Sequence, residues 1–192
     1  AQQQQDEGTL VVRNAAAGER LWRYSSRLSE TRGFAIGHAV DITDQAREAE
    51  ALRAENLRDA LTQAYNRRYL PRFEREMGER GWAVINVDLD QFKLINDTHG
   101  HDEGDRVLVA MTRYLEQQVR AGDAVVRSGG DEFILLLADG DEARVQGLLA
   151  RLRANMAQAP CRYSLGHALR QRSEPLGDTL ARADSEMYAL RR

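Results

Sequence analysis

Two glycines followed at once by two acids, Gly129-Gly130-Asp131-Glu132, lie between two short runs of β-forming residues. No other stretch of the chain restricts its fold so tightly. Before the glycines comes Asp123-Ala124-Val125-Val126-Arg127; after the acids comes Phe133-Ile134-Leu135-Leu136-Leu137. Apolar runs joined by a Gly-Gly turn specify a β-hairpin. Glycine supplies φ > 0 and leaves the turn uncovered, so another molecule can approach the backbone. Asp131 and Glu132 then stand side by side at the tip. Adjacent like charges repel, and a bound cation is a usual way of keeping them together. A solvated acidic turn is the other reading, and the hairpin alone does not choose between them.

The chain is long enough, at 192 residues, for one full domain and a smaller piece. Its 42% hydrophobic content suits a globular core, and its formal charge of −3 gives no reason to expect nucleic acid as a partner. No apolar run approaches the ~20 residues of a bilayer span. The polar start, Ala1 to Glu7, lacks the marks of a signal peptide. Cys161 is the single cysteine, which excludes an intrachain disulfide and fits a reducing, cytoplasmic compartment. It falls in an apparent strand, where a buried structural thiol is expected.

Residues 8–14, 19–27 and 33–42 each carry β-formers, with Gly18 and Gly33 in the gaps, and read as an antiparallel three-stranded meander. In the second run Trp22, Tyr24 and Ser26 share one face. Three strands alone are too thin for a stable domain. The run from Gly18 to Tyr24, a later glycine and then Asp41-Ile42-Thr43-Asp44 resemble the C-terminal half of a PAS sensory domain. The helical half that would enclose a ligand is missing from this match. Either the chain is excised from a larger sensor protein or the strands have another purpose, and no ligand is inferred; His38 reads as a packing residue. Residues 43–59 contain no Gly or Pro, with Thr43 or Asp44 as N-cap. Ala49, Leu52 and Asn56 follow a coiled-coil spacing, although a lone amphipathic linker helix fits equally. The organisation expected is therefore strands over 1–43, a linker helix over 44–58 and one domain over 59–192.

Within that domain, residues 59–68 form a polar turn into a helix capped by Asn66, with Leu70, Phe73 and Met77 on its buried side and Gly78 at its end. Trp82 to Asp88 is a strand. A helix over 105–119 turns Val107, Leu108, Met111 and Leu115 inward, and the hairpin follows. A helix over 142–156 carries Val145, Leu148, Leu149 and Leu152; a strand over 161–169 and a helix over 176–191 complete the chain. The order β-α-β-β-α-β is the split, ferredoxin-like arrangement. The fold class is thus α+β: a mostly antiparallel sheet flanked by helices, preceded by the meander and linker helix. This topology lays the first strand beside the hairpin and brings Asp88 to Asp131 and Glu132.

Asp88-Leu89-Asp90 closes the first strand, and alternation sends Leu89 to the opposite face from the two acids. A patch of carboxylate oxygens with few histidines suits Mg²⁺ or Mn²⁺, completed by water and phosphate oxygens. Palm-type phosphoryl-transfer enzymes use such ions to activate a hydroxyl and steady a leaving group. Gln91 to Asn96 begins a short helix whose amides can accept phosphate, and Lys93 adds a point charge there. Asn96 and Asp105 flank a glycine-bearing link over 97–104 and offer an amide and a carboxylate, which match the edges of guanine. His99 and His101 flank Gly100, which reads as a turn and not as a metal pair.

Several motifs occur together and in order: Asp59 to Arg68, Asp88 to Lys93, Asn96 to Asp105, Arg127 to Phe133, Ser164-Leu165-Gly166, and Ala183 to Tyr188. On these, residues 59–192 resemble the GGDEF domain of the diguanylate cyclase family, with its nucleotide-cyclase, palm-like fold. The resemblance implies two GTP molecules on two facing domains of a homodimer. The 3′-hydroxyl of each attacks the α-phosphorus of the other, which releases two pyrophosphates and cyclic di-GMP. It implies that Asp88, the Leu89 carbonyl and Asp131 hold Mg²⁺ or Mn²⁺, with Glu132 beside them. Asp131, Glu132 and Lys93 take the catalytic roles. Phe92, Lys93, Asn96, His101, Asp105 and Arg191 fall to substrate, and Arg120 and Asp123 match the Arg-x-x-Asp product-inhibition motif. Gln63-Ala64 departs from the usual Gly-Leu, and Arg191 stands where the family has a lysine. The alternative is a degenerate module that binds cyclic di-GMP or GTP without turnover, or a cyclase of different base preference.

Overall fold

The structure, a computed structural model, describes residues 5–14, 18–28, 35–48 and 56–190. They divide into two units, with the boundary between residues 56 and 57.

The first unit is the expected meander. Strands β1 (Gln5–Asn14), β2 (Gly18–Leu28) and β3 (Ala35–Asp41) pair antiparallel in chain order. Leu10 lies opposite Trp22, and Trp22 opposite Asp41. Tyr24 covers Gly8, where a Cβ would lie 2.8 Å from the tyrosine ring. A helix, α1, follows over 43–48. Its cap comes from Asp41, not from Thr43 or Asp44: the Asp41 Oδ1 accepts the Thr43 N–H at 3.0 Å and the Thr43 hydroxyl at 2.6 Å. Hydrogen bonds from the Thr43 hydroxyl, Arg20 and the Thr43 amide hold the Asp41 carboxyl down to about 2. The remainder of the expected linker helix, with Ala49 and Leu52, lies outside the described residues.

In the second unit five strands form one sheet in the order β4 (Tyr65–Asn66), β6 (Ala124–Gly129), β7 (Glu132–Ala138), β5 (Trp82–Leu89), β8 (Tyr163–Leu169). All pairings are antiparallel except β4 with β6. Leaving β4 aside, this is the ferredoxin-like order. β4 itself is an addition to the expectation, which placed only a turn there.

Alternation along β5 builds two cores. Ala83, Ile85, Val87 and Leu89 face the side packed by α4 (His101–Gln118) and α5 (Glu142–Ala154). Trp82 and Val84 face α2 (Leu70–Met77) and α6 (Leu176–Leu190). Of the stripes read from spacing, Phe73, Met77, Leu108, Met111, Leu115, Val145, Leu148, Leu149 and Leu152 are buried, and Leu70 and Val107 are partly buried against them. Each fully buried leucine contributes roughly 2 kcal/mol over an exposed one. Asp141 caps α5 through the Arg144 N–H, and Gly78 at φ +56° ends α2.

Two expectations need correction. Between β5 and the hairpin stand two helices, α3 (Phe92–His99) and α4, joined by Gly100 alone at φ +86°. The glycine-bearing link over 97–104 is therefore mostly helix, and Asp105 lies inside α4 instead of at its start. Gly104 is there for packing: a Cβ would lie 1.9 Å from the Asn96 Oδ1. Cys161 precedes β8 and is only partly buried. That burial, with Asp90 and Asp131 nearby, still pushes its thiol up to about 11. Arg191, expected to end the last helix and to face substrate, lies outside the described residues.

Candidate active site

The hairpin β6–β7 turns at Gly130-Asp131, with Gly129 opposite Glu132 and a bulge between Arg127 and Gly129. Gly130 sits at φ +51°, the left-handed region that glycine enters without strain. β7 continues antiparallel to β5, so Asp88 lies directly opposite Glu132, and the Leu89 N–H donates to the Asp131 carbonyl at 3.2 Å. Directly opposed residues sit roughly 5 Å apart at Cα. Asp88 is thereby placed at the same end of the sheet as Asp131 and Glu132, more than forty residues further along the chain.

The tip is held from behind. The Arg127 guanidinium donates twice to the Gly130 carbonyl, at 3.0 and 2.8 Å, and once to Asp59 Oδ1 at 3.0 Å. Asp59 also accepts the N–H and hydroxyl of Thr62. Burial opposes ionisation of Asp59, but the bonds from Thr62 and Arg127 outweigh it and leave its carboxyl below the ordinary range. Arg127 and Asp59 are 68 residues apart, so spacing gives no sign of this clamp.

An open cavity of about 730 Å³ is lined by Asp88, Leu89, Asp90, Phe92, Lys93 and Asp131, among others. That is within the range of nucleotide-sized sites. Gln91, at φ +57°, makes the sharp turn from β5 into α3 and aims the first turn of that helix at the cavity. Lys93 is exposed on that turn, whereas the Phe92 side chain is buried beneath it, so Phe92 offers a ligand its backbone amide. Ser164 donates to Asp90 at 2.7 Å. Asp88, the Leu89 carbonyl and Asp131 are hard oxygen donors around one space, and such donors fit Mg²⁺ or Mn²⁺. Among the described residues no three His, Cys, Asp or Glu side chains form a ready-made metal cage. A cation here would take its remaining ligands from water and phosphate, as Mg²⁺ commonly does.

Asn96 on α3 packs against Gly104, and Asp105, the next residue on α4, is exposed. His101 opens α4 and is exposed.

A second cavity, about 340 Å³, lies between the sheet, α2 and α6; Asn86, Asp88, Ser128, Glu132 and Asp184 are in its wall. Asn86 is buried. Its Nδ2 donates to Asp184 at 2.9 Å and to the Leu180 carbonyl at 3.4 Å, while its Oδ1 has no partner among the described residues. An orphaned buried acceptor costs about 1–3 kcal/mol. Sequence reasoning passed over Asn86, although an amide inside an apolar strand was a visible irregularity.

Arg120 and Asp123 fall at the corner before β6, as expected, but their surroundings differ. The Asp123 carboxylate side chain is 2% exposed; it receives two bonds from Arg144, at 2.5 Å, and one each from the Arg120 and Ala138 amides at 3.1 Å. Arg144 also donates to the Ala138 carbonyl. What this corner leaves at the surface is Arg120.

Residues 56–192 match the family described as diguanylate cyclase, GGDEF domain. Diguanylate cyclase DgcM of Escherichia coli (strain K12) is 34% identical over 161 residues, covering 77% of this chain and 39% of DgcM. The crystal structure of diguanylate cyclase SiaD in complex with its activator SiaC, from Pseudomonas aeruginosa, superposes with a TM-score of 0.67 at 31% identity, over 79% of this chain and 66% of SiaD. The coiled coil and GGDEF domain of DgcB from Caulobacter crescentus, in complex with c-di-GMP, gives a TM-score of 0.69 at 24% identity, over 78% and 88% of the two chains. At that identity the likeness speaks for the fold alone. The chain thus spans well under half the length of DgcM. Among the described residues no helix is long and apolar enough to cross a membrane.

Proposed function

The chain belongs to the GGDEF diguanylate cyclase family, and we propose that it condenses two GTP molecules into cyclic di-GMP, with Mg²⁺ or Mn²⁺, between two facing copies of this domain. The observation that carries the reading is the pairing of Asp88 with Glu132, beside the Leu89–Asp131 backbone bond, at the edge of a nucleotide-sized cavity.

In this reading Asp88, the Leu89 carbonyl and Asp131 hold the divalent cation. When bound, the cation supplies Lewis-acid activation of the 3′-hydroxyl and neutralises charge at the α-phosphate. The α3 amides at Phe92 and Lys93 receive phosphate oxygens, and the Lys93 ammonium steadies the charge that builds on the leaving pyrophosphate. Asn96 and Asp105 match the edges of guanine and orient the nucleotide, with His101 at the start of α4. Asp131 and Glu132 stand where the hydroxyl proton departs. Each new P–O bond to a 3′-oxygen forms as the bond to the β-phosphate bridging oxygen breaks. One such site carries one GTP, so a second copy is needed to close the ring.

Product inhibition through Arg120 and Asp123 belongs to the same proposal, but Asp123 would first have to leave Arg144. For the N-terminal unit we infer a sensor remnant, because three antiparallel strands lead through Asp41-Ile42-Thr43 into a helix, as the PAS-like spelling implies. Insertions within 43–59 then alter turnover; a rate indifferent to insertion length contradicts that role.

The deciding assay incubates the protein with GTP and Mg²⁺ or Mn²⁺ and identifies the product by mass. Cyclic di-GMP is expected from the wild type and none from Asp131→Ala, which stays folded. A folded wild-type dimer that consumes no GTP, or consumes ATP equally, overturns the reading.

A further inference from the structure

Asn86 occupies a place on β5 where packing asks for an apolar residue. Its row across the sheet is Ile134 on β7 and Gly166 on β8. At Gly166 the last helix comes so near that a Cβ would lie 2.2 Å from the Ala183 carbonyl oxygen. At Asn86 the same helix is tied by the bonds to Leu180 and Asp184. α6 is therefore seated on the sheet along this row. On the same face, the next row toward the active end is Ser164, Asp88 and Glu132. Asn86, Asp184, Asp88 and Glu132 all line the cavity of about 340 Å³. An apolar side chain here would leave no orphaned acceptor, so packing does not account for the amide.

We propose that Asn86 is a positioning residue for the divalent-cation site. Its amide anchors the Asp184 carboxylate, and α6 with it, at a fixed place beside Asp88 and Glu132. The inference rests on the cyclase reading above. Its physical basis is that Asp184 brings a third carboxylate into a cavity shared with a proposed metal ligand. Held by a neutral donor, that carboxylate stays out of the cation's own ligand set and contributes a constant field. Released, it can swing toward the cation or draw Asp88 out of line. Groups behind a ligand set its orientation, and their loss typically costs tenfold or more in metal affinity.

The test measures Mn²⁺ binding by electron paramagnetic resonance, with a non-cleavable GTP analogue present, beside steady-state GTP kinetics and thermal melting. Asn86→Leu is expected to melt at or above the wild-type temperature, because the orphan is gone. It should nevertheless bind Mn²⁺ roughly tenfold more weakly and raise KM for GTP more than it lowers kcat. Asp184→Ala, at an exposed position on α6, should reproduce the Mn²⁺ defect and keeps the test valid if Asn86→Leu does not fold. Asp184→Asn, whose amide oxygen still accepts from Asn86, should stay closer to wild type than Asp184→Ala. Wild-type Mn²⁺ affinity and KM in Asp184→Ala, or in folded Asn86→Leu, overturn the inference and leave the cyclase reading standing. A wild type that holds no Mn²⁺ overturns the metal-site reading, and this inference with it.

Discussion

Strand β6 has an acid-bearing corner at each end, and the two are built on opposite plans. At the Arg120–Asp123 corner the carboxylate is nearly sealed, with Arg144 and two backbone amides as its donors. At the Gly129–Glu132 tip the protein supplies few donors to the acids: Ser128 reaches Glu132 at 3.2 Å, and the Asp131 carboxylate takes no side-chain bond among the described residues. The clamp from Arg127 grips the Gly130 carbonyl instead of the acids. A carboxylate satisfied from within stabilises the fold; one left to find outside donors or cations is available for chemistry. The same residue type thus serves two ends because its surroundings differ.

The sharpest way to break this contrast is to remove one acid from each corner. Asp131→Ala should reduce GTP turnover at least a hundredfold, more than the loss of a group behind a ligand, with almost no change in melting temperature. Asp123→Ala should do the reverse: it strands Arg144 and costs about 3 kcal/mol of stability, while the initial rate per folded molecule, before product accumulates, holds. Chemical denaturation and product formation on the same samples check both. If Asp123→Ala is stable and Asp131→Ala unfolds, the assignment of roles is inverted.

A smaller effect probes the clamp. Arg127→Ala frees the turn and should lower turnover about tenfold. Arg127→Lys should recover only part of it, since an ammonium cannot fork between Gly130 and Asp59. Rates equal to wild type in both variants would show that the tip needs no support.

The smallest effect concerns acids satisfied from within, of which Glu174 is a second case. Hydrogen bonding from Arg182, with the Gln171 amide and the Thr179 hydroxyl, lowers its carboxyl from 4.5 to about 2. Its contribution to stability is therefore complete above about pH 4.5 and drains away as pH falls toward 2. Glu174→Gln should melt slightly lower at neutral pH and show a shallower decline across that acid range. Parallel melting curves for mutant and wild type below pH 4.5 would contradict it.

Much of the architecture was legible because it is periodic. The stripes at Phe73 and Met77, at Leu108, Met111 and Leu115, and at Val145 to Leu152 are local patterns, and so are the alternating strands. Gly104 looks like a break in the sequence, but in the fold it is a gap filled by Asn96. The two-residue strand β4 is too short to leave a pattern. The acids Asp88, Asp131 and Glu132 were legible as a group only through topology, which laid β5 beside β7. The partnerships that tune the site were not legible: Arg127 with Asp59, Arg144 with Asp123, and Asn86 with Asp184 join residues 68, 21 and 98 positions apart. Nothing local marks such pairs.

The most direct test of the central claim is a crystal of the protein with Mn²⁺ and a non-cleavable GTP analogue, read by anomalous scattering. Manganese should lie within about 2.0–2.3 Å of oxygens from Asp88, the Leu89 carbonyl and Asp131, with the nucleotide phosphates completing its shell. Manganese bound elsewhere, or Asp88 turned away while the nucleotide is seated, would contradict it.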